Sequence, residues 1–146
     1  MLCVEALMKV RLRFLGGAQT VTGSRYLLEI NKFKLLVDCG LFQGLPELKI
    51  KNWEHLPINP KDIDAVVLTH AHLDHTGYLP RLFKEGYVGP VFCTKPTAEL
   101  LEILLKDSAK LQEEEANYAK KKGYSVHKNP EPLYDSLDAE KVFPAL

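Results

Sequence analysis

The sequence has few cysteines, no long apolar run and no net charge, and each absence excludes a class of protein. Its three cysteines are odd in number and far apart, so no disulfide framework is expected and a reducing cytoplasm is the simpler compartment. The 19 basic and 19 acidic residues balance, which excludes a global attraction to nucleic acid or to a membrane. No apolar run is long enough to span a bilayer, so we expect no membrane partner.

The composition that is present is that of an ordinary globular domain. The chain has 146 residues, of which 46% are apolar and 26% are charged, and this suits a single domain. The first seven residues contain Glu5 and are too short for a signal peptide. We therefore expect one domain over residues 1–146, with residues 1–7 as a candidate N-terminal extension before a start at Met8.

Predicted strands alternate with predicted helices along the chain. The segment Lys9–Leu15 alternates charged and apolar residues, which indicates a half-buried strand. By similar patterns, strands are expected at Ser24–Ile30, Phe33–Val37, Asp64–Leu68 and Val88–Thr94, and helices at Glu47–Trp53, Thr76–Glu85, Thr97–Lys122 and Ser136–Phe143. Gly123 is expected to end the long helix, and Asp135 or Ser136 to cap the last one. The alternation predicts the α/β class.

The densest group of potential metal ligands lies in the segment Thr69–Gly77, which follows a short apolar, β-branched run. His70 and His72 are two residues apart, and in extended backbone two such side chains point to the same face, where they can share one ion. Asp74 and His75 follow as the chain turns into a helix and point to a neighbouring position. A lone histidine is usually an ordinary loop residue, but four potential ligands at this spacing favour a metal site.

The types of ligand also indicate which metal to expect. Neutral imidazole together with carboxylate suits zinc, and manganese or iron are alternatives. His55 and His127 are isolated in predicted loops, so we interpret them as structural or solvated residues.

Asp38 is a further candidate because it ends the third predicted strand, directly before Cys39 and Gly40. A carboxylate beside a glycine at a strand end is often only a turn former. The order of strand, aspartate, glycine and then the histidine motif favours another role, in which Asp38 orients one of the metal-binding histidines.

The pattern His-x-His-x-Asp-His resembles the signature of the metallo-β-lactamase superfamily. Several other segments resemble the β-CASP branch of that superfamily, whose members are RNA-processing nucleases. These segments are Gly16–Ser24, Asp38–Gly44, Gly77–Pro80 and Thr94–Leu101, with Asp107 and Ser108 further along the same helix. The resemblance implies the N-terminal half of an αββα sandwich, with a mixed sheet flanked by helices.

The resemblance also implies a mechanism and a cofactor. Two zinc ions would sit side by side, one held by His70 and His72 and the other by Asp74 and His75. A water activated by the metals would attack a phosphodiester of RNA, and Asp74 would act as the catalytic general base. RNA is therefore the expected partner, and the cytoplasm the expected location.

The sequence departs from the family at its end. Family members carry a further histidine for each metal, a bridging aspartate and an inserted β-CASP domain, all beyond the position that corresponds to Leu146. We therefore expect a partial metallo-β-lactamase domain that binds metal weakly alone, and that self-associates or needs a C-terminal partner chain. Two alternatives stay open: a non-catalytic fragment or interaction half of a split protein, and a metallo-hydrolase acting on a small ester or thioester.

Overall fold

The computed structural model describes residues 8–123 and 130–146. Predictions for Cys3, His127 and the candidate extension at residues 1–7 lie outside the described residues. The strands are β1 (Val10–Gly16), β2 (Arg25–Ile30), β3 (Phe33–Val37), β4 (Ala65–Val67) and β5 (Val91–Phe92), and the α-helices are α1 (Pro46–Lys49), α2 (Leu73–Thr76), α3 (Leu79–Lys84), α4 (Lys95–Lys122) and α5 (Ser136–Glu140). Short 3-10 helices cover Ile50–Trp53, Pro60–Asp62 and Phe143–Ala145.

The five strands form one mixed sheet in the order β1-β2-β3-β4-β5. β1, β2 and β3 are antiparallel neighbours, whereas β3, β4 and β5 run parallel to one another. The β3–β4 connection carries α1, and the β4–β5 connection carries α2 and α3. The predicted α/β class with a mixed sheet is confirmed.

The β2–β3 hairpin shows how a local choice of residue sets the register. Asn31 has a φ of 56°, the left-handed conformation that a tight turn requires and that asparagine tolerates better than most residues. Asn31 thus adopts a conformation that glycine more often supplies in such a turn. Its amide oxygen also accepts a hydrogen bond from the Lys9 backbone N–H at 3.1 Å, which ties the start of β1 to the turn.

The prediction of one continuous helix over Thr76–Glu85 was wrong. The segment Thr76–Glu85 contains only the last residue of α2, and α3 begins after Gly77 and Tyr78. Pro80 explains the break, because it has no N–H to donate to the Thr76 carbonyl and its ring would clash with that carbonyl. The consequence is that α2 is a single turn, and this turn carries Asp74 and His75.

The ends of the other helices follow their capping residues. Gly123 adopts a left-handed conformation with φ of 68° and ends α4 as predicted. Asp135, rather than Ser136, caps α5 through a capping box with Asp138. The predicted Glu47–Trp53 helix is replaced by α1 and the 3-10 turn that follows it. In the part of the chain that is described, no helix is both long enough and apolar enough to cross a bilayer.

The core lies on one face of the sheet. Leu36, Val66 and Val91 occupy neighbouring positions on β3, β4 and β5, and each is at most 2% exposed. They belong to the same buried cluster as Leu82 of α3 and Leu105 of α4. This packing fixes the long helix against the parallel strands, whose C-terminal ends carry the candidate site.

The opposite face of the sheet is apolar and open to solvent. It carries Val10, Leu12, Phe14, Tyr26, Leu28, Ile30, Phe33, Leu35, Val37, Val67 and Phe92 in register across the five strands. Leu12 is 50% exposed, Phe14 61% and Phe92 58%. An apolar surface that crosses a whole sheet is unusual for a surface left in water.

Candidate metal centre

The candidate site forms where two parallel strands end at the same edge of the sheet. Asp38 directly follows β3, and its backbone N–H donates to the carbonyl of Val67, the last residue of β4, at 2.9 Å. Thr69 follows β4 after one residue, and its N–H donates to Asp38 Oδ1 at 2.8 Å. The parallel pairing of β3 and β4 thus brings together two segments that are about thirty residues apart in the sequence.

His70 and His72 form the first pair of candidate ligands. His70 Nε2 lies 3.1 Å from His72 Nδ1, and the rings meet nearly edge to face. The predicted common face of these two side chains is therefore present. Two zinc–nitrogen bonds of roughly 2.0–2.1 Å can bridge nitrogens up to about 4 Å apart, so this pair fits a single ion.

Asp74 and His75 form the second pair, in the single turn of α2. His75 Nε2 lies 3.6 Å from Asp74 Oδ2, and the other ring nitrogen, Nδ1, lies 2.8 Å from Asp38 Oδ2. A histidine whose far nitrogen is held by a carboxylate is the usual arrangement of a metal-binding imidazole. The rings of His70 and His75 are 4.1 Å apart between centroids, so the two pairs are neighbours.

Asp38 is the most constrained residue of the site. Its side chain is 2% exposed, and its backbone has a φ of 58°, which costs energy in any residue except glycine. The carboxylate contacts the Thr69 N–H, the Thr69 hydroxyl and the His75 ring, so its charge is compensated by hydrogen bonds. The contact that the predicted orienting role requires is present, and the role itself stays a prediction.

The segment after Asp38 holds α2 through backbone hydrogen bonds. Cys39 N–H donates to the carbonyl of His75 at 2.7 Å, and Leu41 N–H donates to that of Leu73 at 2.9 Å. Gly40 has no room for a side chain, because a Cβ at this position would overlap the carbonyl of Asp74. Backbone atoms therefore fix the turn that carries Asp74 and His75.

A buried arginine supports this segment from behind. Arg25 is 2% exposed and donates from Nε to the Gly40 carbonyl at 2.7 Å. Its guanidinium also donates to Asn52 Oδ1 at 3.1 Å and stacks on the ring of Tyr78, 3.8 Å from the centroid. Burial lowers the pKa of Arg25 and raises the pKa of Tyr78 to about 12. Tyr78 is thus a core residue that supports the site from behind, and it does not line it.

The candidate ligands have the right chemical types for zinc, but they are too few for a complete site. Among residues 8–123 and 130–146, no three histidine, cysteine, aspartate or glutamate side chains converge in a way that could hold one ion. The four candidates form two pairs, whereas a catalytic zinc ion usually has three protein ligands. The ligand types and the separations of the pairs fit zinc, and the number of ligands fits weak binding.

Two residues that support the candidate site were not predicted from the sequence. Thr69 contacts both Asp38 and His70, and Arg25 holds the Gly40 carbonyl, yet neither was assigned a role. The signal for Thr69 was a hydroxyl directly before the first histidine. Arg25 gave no local signal. His55, interpreted as structural or solvated, is exposed and pairs with Glu85 at 3.0 Å, outside the histidine cluster.

Comparison with known proteins identifies relatives of the chain. A family model described as the metallo-beta-lactamase superfamily matches residues 20–143. Ribonuclease TTHA0252 of Thermus thermophilus is 50% identical over 101 residues, which are 68% of this chain and 22% of that protein. Transcription termination factor FttA of Methanocaldococcus jannaschii is 39% identical over 106 residues, 73% of this chain and 17% of that protein. The chain thus spans about a fifth of the length of these curated relatives.

The metallo-beta-lactamase fold protein YhfI from Bacillus subtilis superposes with a TM-score of 0.46 and 24% identity. The match covers 65% of this chain and 40% of that chain.

The close approach of Gly40 to α2 generates a first prediction. Gly40→Ala should displace the backbone of Asp74 and His75 and weaken zinc binding, although no candidate ligand is changed. We expect a loss of about 1–3 kcal/mol in the free energy of unfolding, as for other overpacked sites. Denaturant unfolding and a zinc titration of the same preparation would measure both effects.

Gly44→Ala is the matched control in the same loop, because a Cβ there meets open space. It has a positive φ of 84°, so it should cost some stability and leave zinc binding unchanged. Equal zinc affinity in the Gly40→Ala variant and the wild type would contradict the role assigned to this contact.

Proposed function

Because the chain belongs to the metallo-β-lactamase superfamily, we propose that it carries part of a two-zinc centre that hydrolyses phosphodiester bonds of RNA. The superfamily predicted from the histidine motif is thereby confirmed. The observation that carries the proposal is the pair of neighbouring donor sets, His70 with His72 and Asp74 with His75, beside a buried carboxylate. The choice of RNA rests on the ribonuclease that is 50% identical to this chain.

In this proposal the chain's own residues position the metals and move one proton. His70 and His72 would hold one zinc ion, and Asp74 and His75 would hold the other. Zinc, when bound, lowers the pKa of water and offsets the charge that develops on the phosphoryl oxygens. The Asp74 side chain is 23% exposed, so its carboxylate is accessible to a water molecule and can accept a proton from it as general base. Asp38 keeps the Nδ1 proton of His75 in place.

Two narrower assignments are proposed, one from the relatives and one from the cysteines. We place the chain in the β-CASP branch because segments such as Asp38–Gly44 resemble that branch, and because its relatives include a ribonuclease and a transcription termination factor. We place the protein in the cytoplasm because Cys39 and Cys93 are free thiols, which suit a reducing compartment.

Metal binding generates the second prediction. The 146-residue chain should bind zinc weakly, because each ion gains only two ligands from it. His72→Ala should lower the affinity by at least about tenfold, since even the loss of outer hydrogen-bond partners of a metal site costs 10–100-fold. Competition with a chromophoric chelator would measure the affinities, and mass spectrometry the metal content.

His55→Ala is the control for this measurement, because His55 is an exposed histidine outside the cluster. It should bind zinc as the wild type does. An equal loss in both variants would mean that zinc binds histidines nonspecifically, and the proposed centre would be wrong.

The reaction generates the third prediction. The 146-residue chain should show little ribonuclease activity alone, because the number of ligands per ion is low. A chimera in which this chain replaces the matching segment of the Thermus thermophilus ribonuclease should cleave single-stranded RNA. His70→Ala in that chimera should abolish cleavage. A gel assay with end-labelled RNA would measure both proteins.

Two outcomes would contradict the proposed reaction. A folded, zinc-containing chimera that leaves RNA intact would show that this chain cannot supply the site of a ribonuclease. Hydrolysis of a thioester or of a small ester by the chain alone, dependent on His70, would favour the small-molecule hydrolase.

The apolar sheet face supports the proposed need for a partner. Covering Leu12, Phe14 and the aligned residues of β2 and β3 would remove a large apolar area from water. We propose that further polypeptide, supplied by a C-terminal partner chain or by a second copy, packs on this face. β1 is also an edge strand of the five-stranded sheet, and an edge strand can pair with a strand of a second copy.

Self-association of the isolated chain is the fourth prediction. Light scattering at high protein concentration should report a mass above the 16.5 kDa of one chain. Leu12→Lys places a charge on the edge strand of this face and should shift the mass toward the monomer. Leu137→Lys on α5 is the control, because Leu137 is 71% exposed outside this face and should leave association unchanged. A stable wild-type monomer would contradict self-association through this face.

A further inference from the structure

Thr69 lies between the buried carboxylate and the first histidine of the motif. Its hydroxyl oxygen is 2.9 Å from Asp38 Oδ2 and 3.1 Å from Asp38 Oδ1. The same oxygen is 2.9 Å from His70 Nδ1. A threonine hydroxyl has one hydrogen to donate, so these contacts cannot all use that hydrogen.

Counting hydrogens decides which atom donates in each contact. An ionised carboxylate can only accept, so the Thr69 hydroxyl must donate to Asp38. The contact with His70 must then run in the other direction, with His70 Nδ1–H donating to the Thr69 oxygen. His70 is thereby held in the tautomer that keeps its hydrogen on Nδ1 and a lone pair on Nε2.

His75 is held in the same tautomer by direct contact. Its Nδ1 lies 2.8 Å from Asp38 Oδ2, and this acceptor requires an Nδ1–H donor. The free lone pairs of both imidazoles are then on Nε2. These are the atoms nearest the other candidate ligands, His72 Nδ1 at 3.1 Å and Asp74 Oδ2 at 3.6 Å.

We propose that Thr69 is a positioning residue that relays the charge of Asp38 to His70, so that one buried carboxylate sets the tautomers of His70 and His75 together. The functional role of this relay rests on the proposed metal centre, in which Nε2 of His70 and Nε2 of His75 would each bind an ion. The tautomers themselves are a property of the chain without metal. The His72 Nδ1–H is then left to donate to His70 Nε2, so His72 is the histidine that must give up its Nδ1 hydrogen to bind metal.

An NMR measurement can determine which ring nitrogen of each histidine carries the hydrogen. Long-range ¹H–¹⁵N correlation spectra of the ¹⁵N-labelled chain without metal distinguish Nδ1–H from Nε2–H imidazoles. The buffer should be basic enough that the imidazoles are neutral. Single substitutions of the five histidines assign the signals. The wild type should show Nδ1–H for both His70 and His75.

Three variants separate the relay from a general structural effect. Thr69→Val keeps the shape and the backbone N–H but removes the hydroxyl, so His70 should populate Nε2–H while His75 stays Nδ1–H. Thr69→Ser restores the hydroxyl and should restore Nδ1–H on His70. Asp38→Asn places an amide near His75 Nδ1, and donation from that amide should move the hydrogen of His75 to Nε2. Asparagine tolerates the left-handed φ of this position, which favours folding of the variant.

Thr94→Val is the matched control, because Thr94 also follows a strand and its hydroxyl donates to Thr97 at 3.0 Å. It should leave both tautomers unchanged. A zinc titration adds a second readout, with affinity about tenfold lower in Thr69→Val and close to the wild type in Thr69→Ser.

The tautomer spectra test the relay through Thr69, and the zinc titration tests the proposed metal centre separately. An Nε2–H tautomer on His70 in the wild type would overturn the relay, and so would unchanged Nδ1–H on His70 in Thr69→Val. Both results hold regardless of the zinc affinity. Predicted tautomers in a chain that binds no zinc would support the relay and overturn the metal centre. If Thr69→Val does not fold, the wild-type spectrum and Thr69→Ser still decide, because a relay requires Nδ1–H on His70 in both.

Discussion

The site depends on one buried carboxylate at the end of β3. Asp38 accepts hydrogen bonds from the Thr69 backbone, the Thr69 hydroxyl and His75, so the segment after β4 and the helix α2 are both tied to it. Its left-handed backbone turns the chain at once into the Cys39–Leu41 segment that holds α2. A residue in this conformation persists only when its surroundings compensate the strain, and here the compensation comes from the site itself.

The rest of the fold supplies rigidity around this contact. Parallel pairing of β3 and β4 brings two strand ends together, and the core under Val66 and Leu105 fixes α4 beneath them. Arg25, stacked on Tyr78, holds the Gly40 carbonyl from the other side. Candidate ligands at strand ends and in a single helical turn are therefore held by backbone hydrogen bonds, which is what a metal site with few ligands requires.

Local patterns in the sequence predicted most of the elements and the close approach of two candidate ligands. β3 matches its predicted bounds, Gly123 ends α4, and the spacing of His70 and His72 predicted their common face, because each depends on neighbours in the sequence. Two kinds of feature could not be read in this way. The break between α2 and α3 depends on competition between a helical pattern and Pro80, and the Thr69 contact depends on a partner thirty-one residues earlier that only the sheet brings near. The residues of the open sheet face became known only from the strand register.

The most direct test of the central claim is a crystal structure of the zinc-loaded chain with anomalous data collected at the zinc edge. The account predicts zinc between His70 Nε2 and His72 Nδ1, a second zinc at His75 Nε2 and Asp74, and an unchanged contact between Asp38 and His75 Nδ1. Zinc bound directly by Asp38 or by Cys39, or zinc only at His55, would contradict it. The predicted result would show that Asp38 organises the ligands, and zinc bound by Asp38 would show that it is one of them.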